Sequence, residues 1–366
     1  MNTDLDRRTF LGGVASFTGA LGVGLSPTQA TAAPGEVTES QMGRGALKIL
    51  QVCASVKPGE EVLIVGDYET ERIARVLAAS TRQIGAEPVL TYLVPRERDG
   101  QEPPKAVAAA MKKAEVFIAP VSRSITHTSA VKEACQAGAR GLLLTQFIPE
   151  MLVRGGIEED FAAMALVCKS VAQRFAEGRN VRVTSTLGTD LTFSIKGRRG
   201  NAMTCLVGPG EFSPVPDIEA NVAPVEGTAK GHLVVDASVP YIGIGLLHQP
   251  IEVTVEEGMI RSITGGQQAR HLSEKLHSFG DPLVFNIAEL GVGLNRRSRM
   301  IGVMLEDEGV SGTAHFGIGT NITLGGTTKA SCHYDLIFRR PTIEIDGTLL
   351  VRDGQLQVPA PGRPGN

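Results

Sequence analysis

Two histidines and three acids in the second half of the chain have the types and spacing to hold a metal ion. The run Ser331-Cys332-His333-Tyr334-Asp335-Leu336-Ile337 sets an imidazole and a carboxylate two positions apart in a strand-like stretch, and residues two apart on a strand leave it on the same face. His333 and Asp335 can therefore bind one ion together. A second imidazole, His315, lies inside the small-residue run Gly312 to Gly319, and Glu289 closes the apolar run Asn286-Ile287-Ala288 beside glycines that would admit solvent or substrate. Glu219, in Pro216-Asp217-Ile218-Glu219-Ala220-Asn221, sits beside an exposed-looking proline bend. Each residue alone has an ordinary alternative, because strand histidines are often only hydrogen-bonded and acids near glycines often cap turns. Together they are the hard and borderline donors that Zn²⁺, Mn²⁺, Co²⁺ and Fe²⁺ take.

Other chemistries are poorly served. No G-x-S-x-G nucleophile motif occurs, and no Gly-rich phosphate loop follows any predicted strand. The 5 cysteines are scattered without C-x-x-C spacing, which suggests neither a disulfide framework nor a zinc ribbon. Lys+Arg 36 against Asp+Glu 39 leaves no basic excess for nucleic acid. His127, in Ser124-Ile125-Thr126-His127-Thr128, reads equally as a neighbour of a helix cap or as a general base. His232, His248, His271 and His277 lack partners at useful spacing, and Glu306-Asp307-Glu308 reads as a solvated acidic turn.

The elements that must position these residues fall into two patterns. From Glu61 to Glu177, short apolar runs alternate with amphipathic stretches, the arithmetic of βαβ units and a parallel sheet. After Asn180 the period becomes two, with Gly-containing turns between strands and one helix over 267–278. The expected architecture is an α/β domain over 40–180, a β-rich α+β metal-site domain over 181–356, and a disordered tail over 357–366. Residues 1–32, with Arg7-Arg8 before an apolar Gly-rich run and Ala30-Thr31-Ala32, read as a twin-arginine export signal. That implies a periplasmic or secreted protein with no stable membrane anchor after cleavage.

Several of these segments also resemble a known family. Pro216 to Gly231 with Asp236, Ala288 to Asn295, Gly312 to Gly319, and His333-Tyr334-Asp335 with Pro341-Thr342 and Asp346-Gly347 resemble the aminopeptidase T type of metallopeptidase across most of the C-terminal half. The resemblance implies two ions of Zn, Co or Mn held by Glu219, Glu289, His315, His333 and Asp335. It implies a homodimer that cleaves an N-terminal residue or small amide from a short peptide or small molecule, with Glu289 or Glu306 moving the proton. Where that family carries its catalytic tyrosine this chain has Ile322, and Tyr334 is a candidate substitute. The chain is also similar to a sister group, the 2,5-dihydroxypyridine dioxygenases, in length, layout and the stretch Ser124 to Thr128. That similarity implies a single Fe(II), with His127 as base. The dioxygenases have a histidine, a serine and an apolar residue in place of Glu289, His315 and Glu219. Hydrolysis is therefore the expected activity, ring cleavage of a hydroxylated pyridine or related aromatic is the alternative, and a binding protein without turnover is the third class.

Overall fold

The structure, a computed structural model, describes residues 37–357. The leader expected over 1–32 and nearly all of the tail expected over 357–366 lie outside these residues. After α1 (Glu39–Lys48), the first half alternates β1 (Glu61–Asp67), α2 (Glu71–Gln83), β2 (Glu87–Leu93), α3 (Lys105–Lys113), β3 (Val116–Val121), α4 (Ser129–Gln136), β4 (Arg140–Thr145) and α5 (Phe161–Glu177). The strands pair in parallel in the order β2-β1-β3-β4. β3 is buried along its whole length and β1 along all but its first residue, as expected of parallel strands covered on both faces. Thr128 caps α4 and Asp160 caps α5, each accepting a backbone N–H of the first turn. The cap at Asp160 starts α5 at Phe161.

The second half runs β5 (Asn180–Thr184), β6 (Asp190–Ser194), β7 (Asn201–Met203), β8 (Phe212–Pro214), β9 (Glu219–Val222), β10 (Lys230–Val235), β11 (Ser238–Val239), β12 (Gly245–Leu246), β13 (Ile251–Glu256) and β14 (Met259–Thr264). Then follow α6 (Gln267–Ser278), β15 (Ile287–Gly293), α7 (Met304–Asp307), β16 (Thr313–Gly319), β17 (His333–Arg339), β18 (Thr342–Ile345), β19 (Thr348–Arg352) and β20 (Gln355–Leu356). β8 pairs in parallel with β4 and becomes the fifth strand of the first sheet. The other strands form an eight-stranded sheet, β14-β13-β10-β6-β5-β18-β19-β20, and a seven-stranded sheet, β12-β11-β17-β16-β15-β9-β7.

One face of the seven-stranded sheet is apolar. Leu290, Val292, Phe316, Ile318, Leu336 and Phe338 are buried there with Val183, Leu191, Phe193 and Val253 of the eight-stranded sheet. Phe316 meets Phe193 edge-on at 5.8 Å and stacks on Phe338 at 5.9 Å, geometries that aromatic quadrupoles favour. This core fixes the register of β15, β16 and β17, because a slip of one residue would turn every phenylalanine to the wrong side. Among the described residues no helix is long and apolar enough to cross a membrane.

Candidate metal centre

The face opposite that core carries the chemistry. Across β9, β15, β16 and β17 the register sets Asn221 and His315 opposite Gly291, Glu219 opposite Gly293, Glu289 and Asp335 opposite Gly317, and His333 opposite Gly319. With a period of two, Glu219, Asn221, Glu289, His315, His333 and Asp335 share one face and alternate with glycines. Two of those glycines make room for the imidazoles. A Cβ at Gly291 would lie 2.0 Å from His315 Nε2, and one at Gly317 would lie 2.7 Å from His333 Nε2 and 2.8 Å from Glu289 Cβ. Glu219 is not on an exposed bend as its prolines suggested; it opens the buried strand β9.

The donor atoms form two overlapping triads, Glu219–Glu289–His315 and Glu289–His333–Asp335, each within 4.8 Å. His315 Nε2 is 3.1 Å from Glu219 Oε2 and 3.9 Å from Asp335 Oδ1. His333 Nε2 is 2.9 Å from Glu289 Oε2 and 3.4 Å from Asp335 Oδ1. Glu219 Oε2, Asp335 Oδ1 and His315 Nδ1 are nonetheless buried with no hydrogen-bond partner. Unpaired buried polar atoms are costly, and acceptors gathered this closely, without aligned donors, fit a cation. His333 Nδ1 lies 2.7 Å from the Thr320 carbonyl, so Nδ1 donates there and the ring turns Nε2 toward the acids.

Electrostatics points the same way. Burial opposes a charge on His315, yet Glu219, Asp335 and Glu289 lift its pKa to about 10. His333 is raised well above its usual range because Asp335 and Glu289 outweigh burial. Burial raises Glu289. Burial would also raise Asp335, but the neighbouring imidazoles hold it below the usual carboxylate range. Without a cation the cluster must keep protons on its imidazoles; with one, those protons can leave.

A profile of the 2,5-dihydroxypyridine 5,6-dioxygenase family matches residues 44–358. The chain belongs to that family. A 2,5-dihydroxypyridine 5,6-dioxygenase from Pseudomonas putida is 26% identical over 256 residues, covering 65% of this chain and 70% of that protein. The solved 2,5-dihydroxypyridine dioxygenase of Pseudomonas putida superposes with a TM-score of 0.76 at 21% identity, over 88% of this chain and 99% of the other. Wild-type AmpT from Thermus thermophilus superposes with a TM-score of 0.64 at 16% identity, over 87% of this chain and 100% of the other. The fold class read from the sequence is thus shared with both groups. The expected activity is corrected: family membership overturns hydrolase, aminopeptidase and protease in favour of the dioxygenase alternative. The reason lies in the donors, since carboxylates and imidazoles suit Zn, Mn and Fe(II) alike. Glu219, Glu289 and His315 therefore could not decide the reaction. None of these matches supports the export leader.

Around the dioxygenase-family cluster, the remaining candidates fall in different places. His127 lies in the loop between β3 and α4, just before the capping Thr128, and feels the charges of both His333 and Asp335. Burial lowers its pKa, His333 lowers it further and Asp335 opposes. The residue as a whole still reaches solvent. The loop is pinned by Ser122, which donates to Asp67 from both N–H and Oγ at 2.6 Å, and by Ser124 N–H, which donates to Asp99 at 2.7 Å. Tyr334, one residue from each ligand candidate, leaves β17 on the opposite face and packs on Tyr241 at 4.9 Å.

The supposed solvated turn at 306–308 is buried. Glu306 accepts the N–H groups of Gly156 at 2.9 Å and Arg299 at 3.1 Å, and burial lifts it to about 7. Asp307 accepts those of Ile301 and Gly302. Sequence reasoning missed Tyr241, whose hydroxyl is 2.7 Å from Asp335 Oδ2 and 2.8 Å from Glu308 Oε1. It also missed Asn221, which donates to Glu219 Oε1 at 2.7 Å, and buried Asp217. Asn221 alone had a readable signal, two positions from Glu219 on the same strand.

Proposed function

We propose that the protein is an Fe(II)-dependent ring-cleaving dioxygenase acting on a hydroxylated pyridine, with 2,5-dihydroxypyridine as the first compound to test. One observation carries the metal part: buried oxygens of Glu219 and Asp335 stand without hydrogen bonds between two imidazoles. Family membership supports the reaction. Glu289, His333 and Asp335 would hold the ion, and His315 with Glu219 would flank it through the shared Glu289. Bound there with open coordination places, Fe(II) supplies the electron chemistry that lets O₂ react with an electron-rich ring.

The chain's own residues do the rest. Thr320 holds His333 in the tautomer that offers Nε2. Gly291 and Gly317 seat the His315 and His333 rings against the sheet, which fixes the direction in which each offers its nitrogen. His127, kept neutral by its surroundings, can take the proton of a ring hydroxyl as the substrate becomes more electron-rich. The test is to load the protein with Fe(II) anaerobically, add 2,5-dihydroxypyridine, and follow the ring absorbance under argon and then air. Decay that begins only with air, and is absent in His333→Ala and Asp335→Ala, supports the assignment. Decay of equal rate in those variants rules it out.

A further inference from the structure

We propose that Tyr241 and Glu308 form a buried brace that aims Asp335 at the metal, making both of them positioning residues for the centre. The inference rests on the reading of Asp335 as a ligand and adds what holds that carboxylate in place. Tyr241 Oη lies 2.7 Å from Asp335 Oδ2 and 2.8 Å from Glu308 Oε1, and all three side chains are buried. A phenol has one proton to donate. It cannot serve two carboxylates at once, so one of the two contacts must be donated by a protonated carboxyl group.

Asp335 faces His333 and His315, which favour its ionised form. Glu308 makes its side-chain hydrogen bond with Tyr241 and has no ion pair among the described residues. The proton therefore belongs to Glu308. The direction of the chain follows: the Glu308 carboxyl donates to Tyr241 Oη, and Tyr241 donates to Asp335 Oδ2. That leaves Oδ1, the oxygen without a hydrogen bond, as the one Asp335 would offer to a cation. Tyr334, whose ring lies 4.9 Å from that of Tyr241 at a tilt of 37°, limits the positions the phenol can take.

The brace is tested by metal binding alone, read from loss of the Mn(II) EPR signal on titration of metal-free full-length protein. Tyr241→Phe keeps the ring contact with Tyr334 and removes the hydroxyl, and should weaken Mn(II) binding by about 10- to 100-fold, the usual effect of losing a hydrogen bond to a metal ligand. Glu308→Gln can still donate to Tyr241 Oη without needing a proton, so it should bind like wild type, whereas Glu308→Leu should match Tyr241→Phe. Thermal melting of each metal-free variant checks folding. If Glu308→Leu does not fold, the comparison of Glu308→Gln with Tyr241→Phe decides. Wild-type affinity in Tyr241→Phe, or equal losses in Glu308→Gln and Tyr241→Phe, would overturn the brace. Absence of Mn(II) binding by the wild-type protein would instead overturn the metal assignment beneath it.

Discussion

His333 and Asp335 were readable because two positions on a strand always mean one face, whatever the rest of the chain does. Tyr241 and Glu308 were not, since Tyr241 meets Asp335 across 94 residues and Glu308 meets Tyr241 across 67, separations that no local spacing encodes; Glu308 even looked like a solvated acid. The residues make two predictions. His315 and His333 have raised pKa values, so at neutral pH the metal-free protein holds protons there that a cation must displace. Metal affinity should therefore climb as pH rises from 6 toward 9 (roughly the lower flank of these shifts), with protons released on binding. Calorimetric titration in buffers of different ionisation heat measures that release, and a pH-independent affinity would contradict it. Second, His127→Ala should lower turnover by about 10²- to 10⁴-fold, the usual contribution of a general base, and leave the metal dissociation constant unchanged.

At the scale of elements, the βαβ half was legible because its apolar runs alternate with amphipathic stretches. The three-residue strands β7 and β8 were not. They are too short to show a period, and β8 gains its place only by pairing with β4, about 70 residues earlier in the chain, a distant pairing of the kind that tertiary context decides. β9 was mistaken for a bend because its flanking prolines outweighed a strand of four residues. The glycine rows of β15 and β16 looked like openings for solvent, and their contacts show that they are seats for imidazoles. Gly291→Ala should push His315 out of position and weaken metal binding about 10-fold or more, whereas Gly43→Ala, in α1 with nothing within 4 Å, should not. Comparing metal titrations of the two variants, with melting curves as a check on folding, tests the seat.

At the scale of the whole molecule, two antiparallel sheets share a core and leave one glycine-lined face for the ion, while the parallel-sheet half brings His127 to it. The fold is common to the dioxygenase and to AmpT, and carboxylate and imidazole donors suit either chemistry, so family membership decided the reaction. An ion bound only by the folded chain should also stabilise it, by about 2.7 kcal/mol at a hundredfold excess over its dissociation constant. The melting temperature should rise on adding Fe(II) anaerobically, and should not rise in Asp335→Ala. The most direct test of the account is isotopic. Fe(II)-loaded protein turning over 2,5-dihydroxypyridine under ¹⁸O₂ should place both labelled atoms in the ring-opened product. A product carrying oxygen only from water would contradict it.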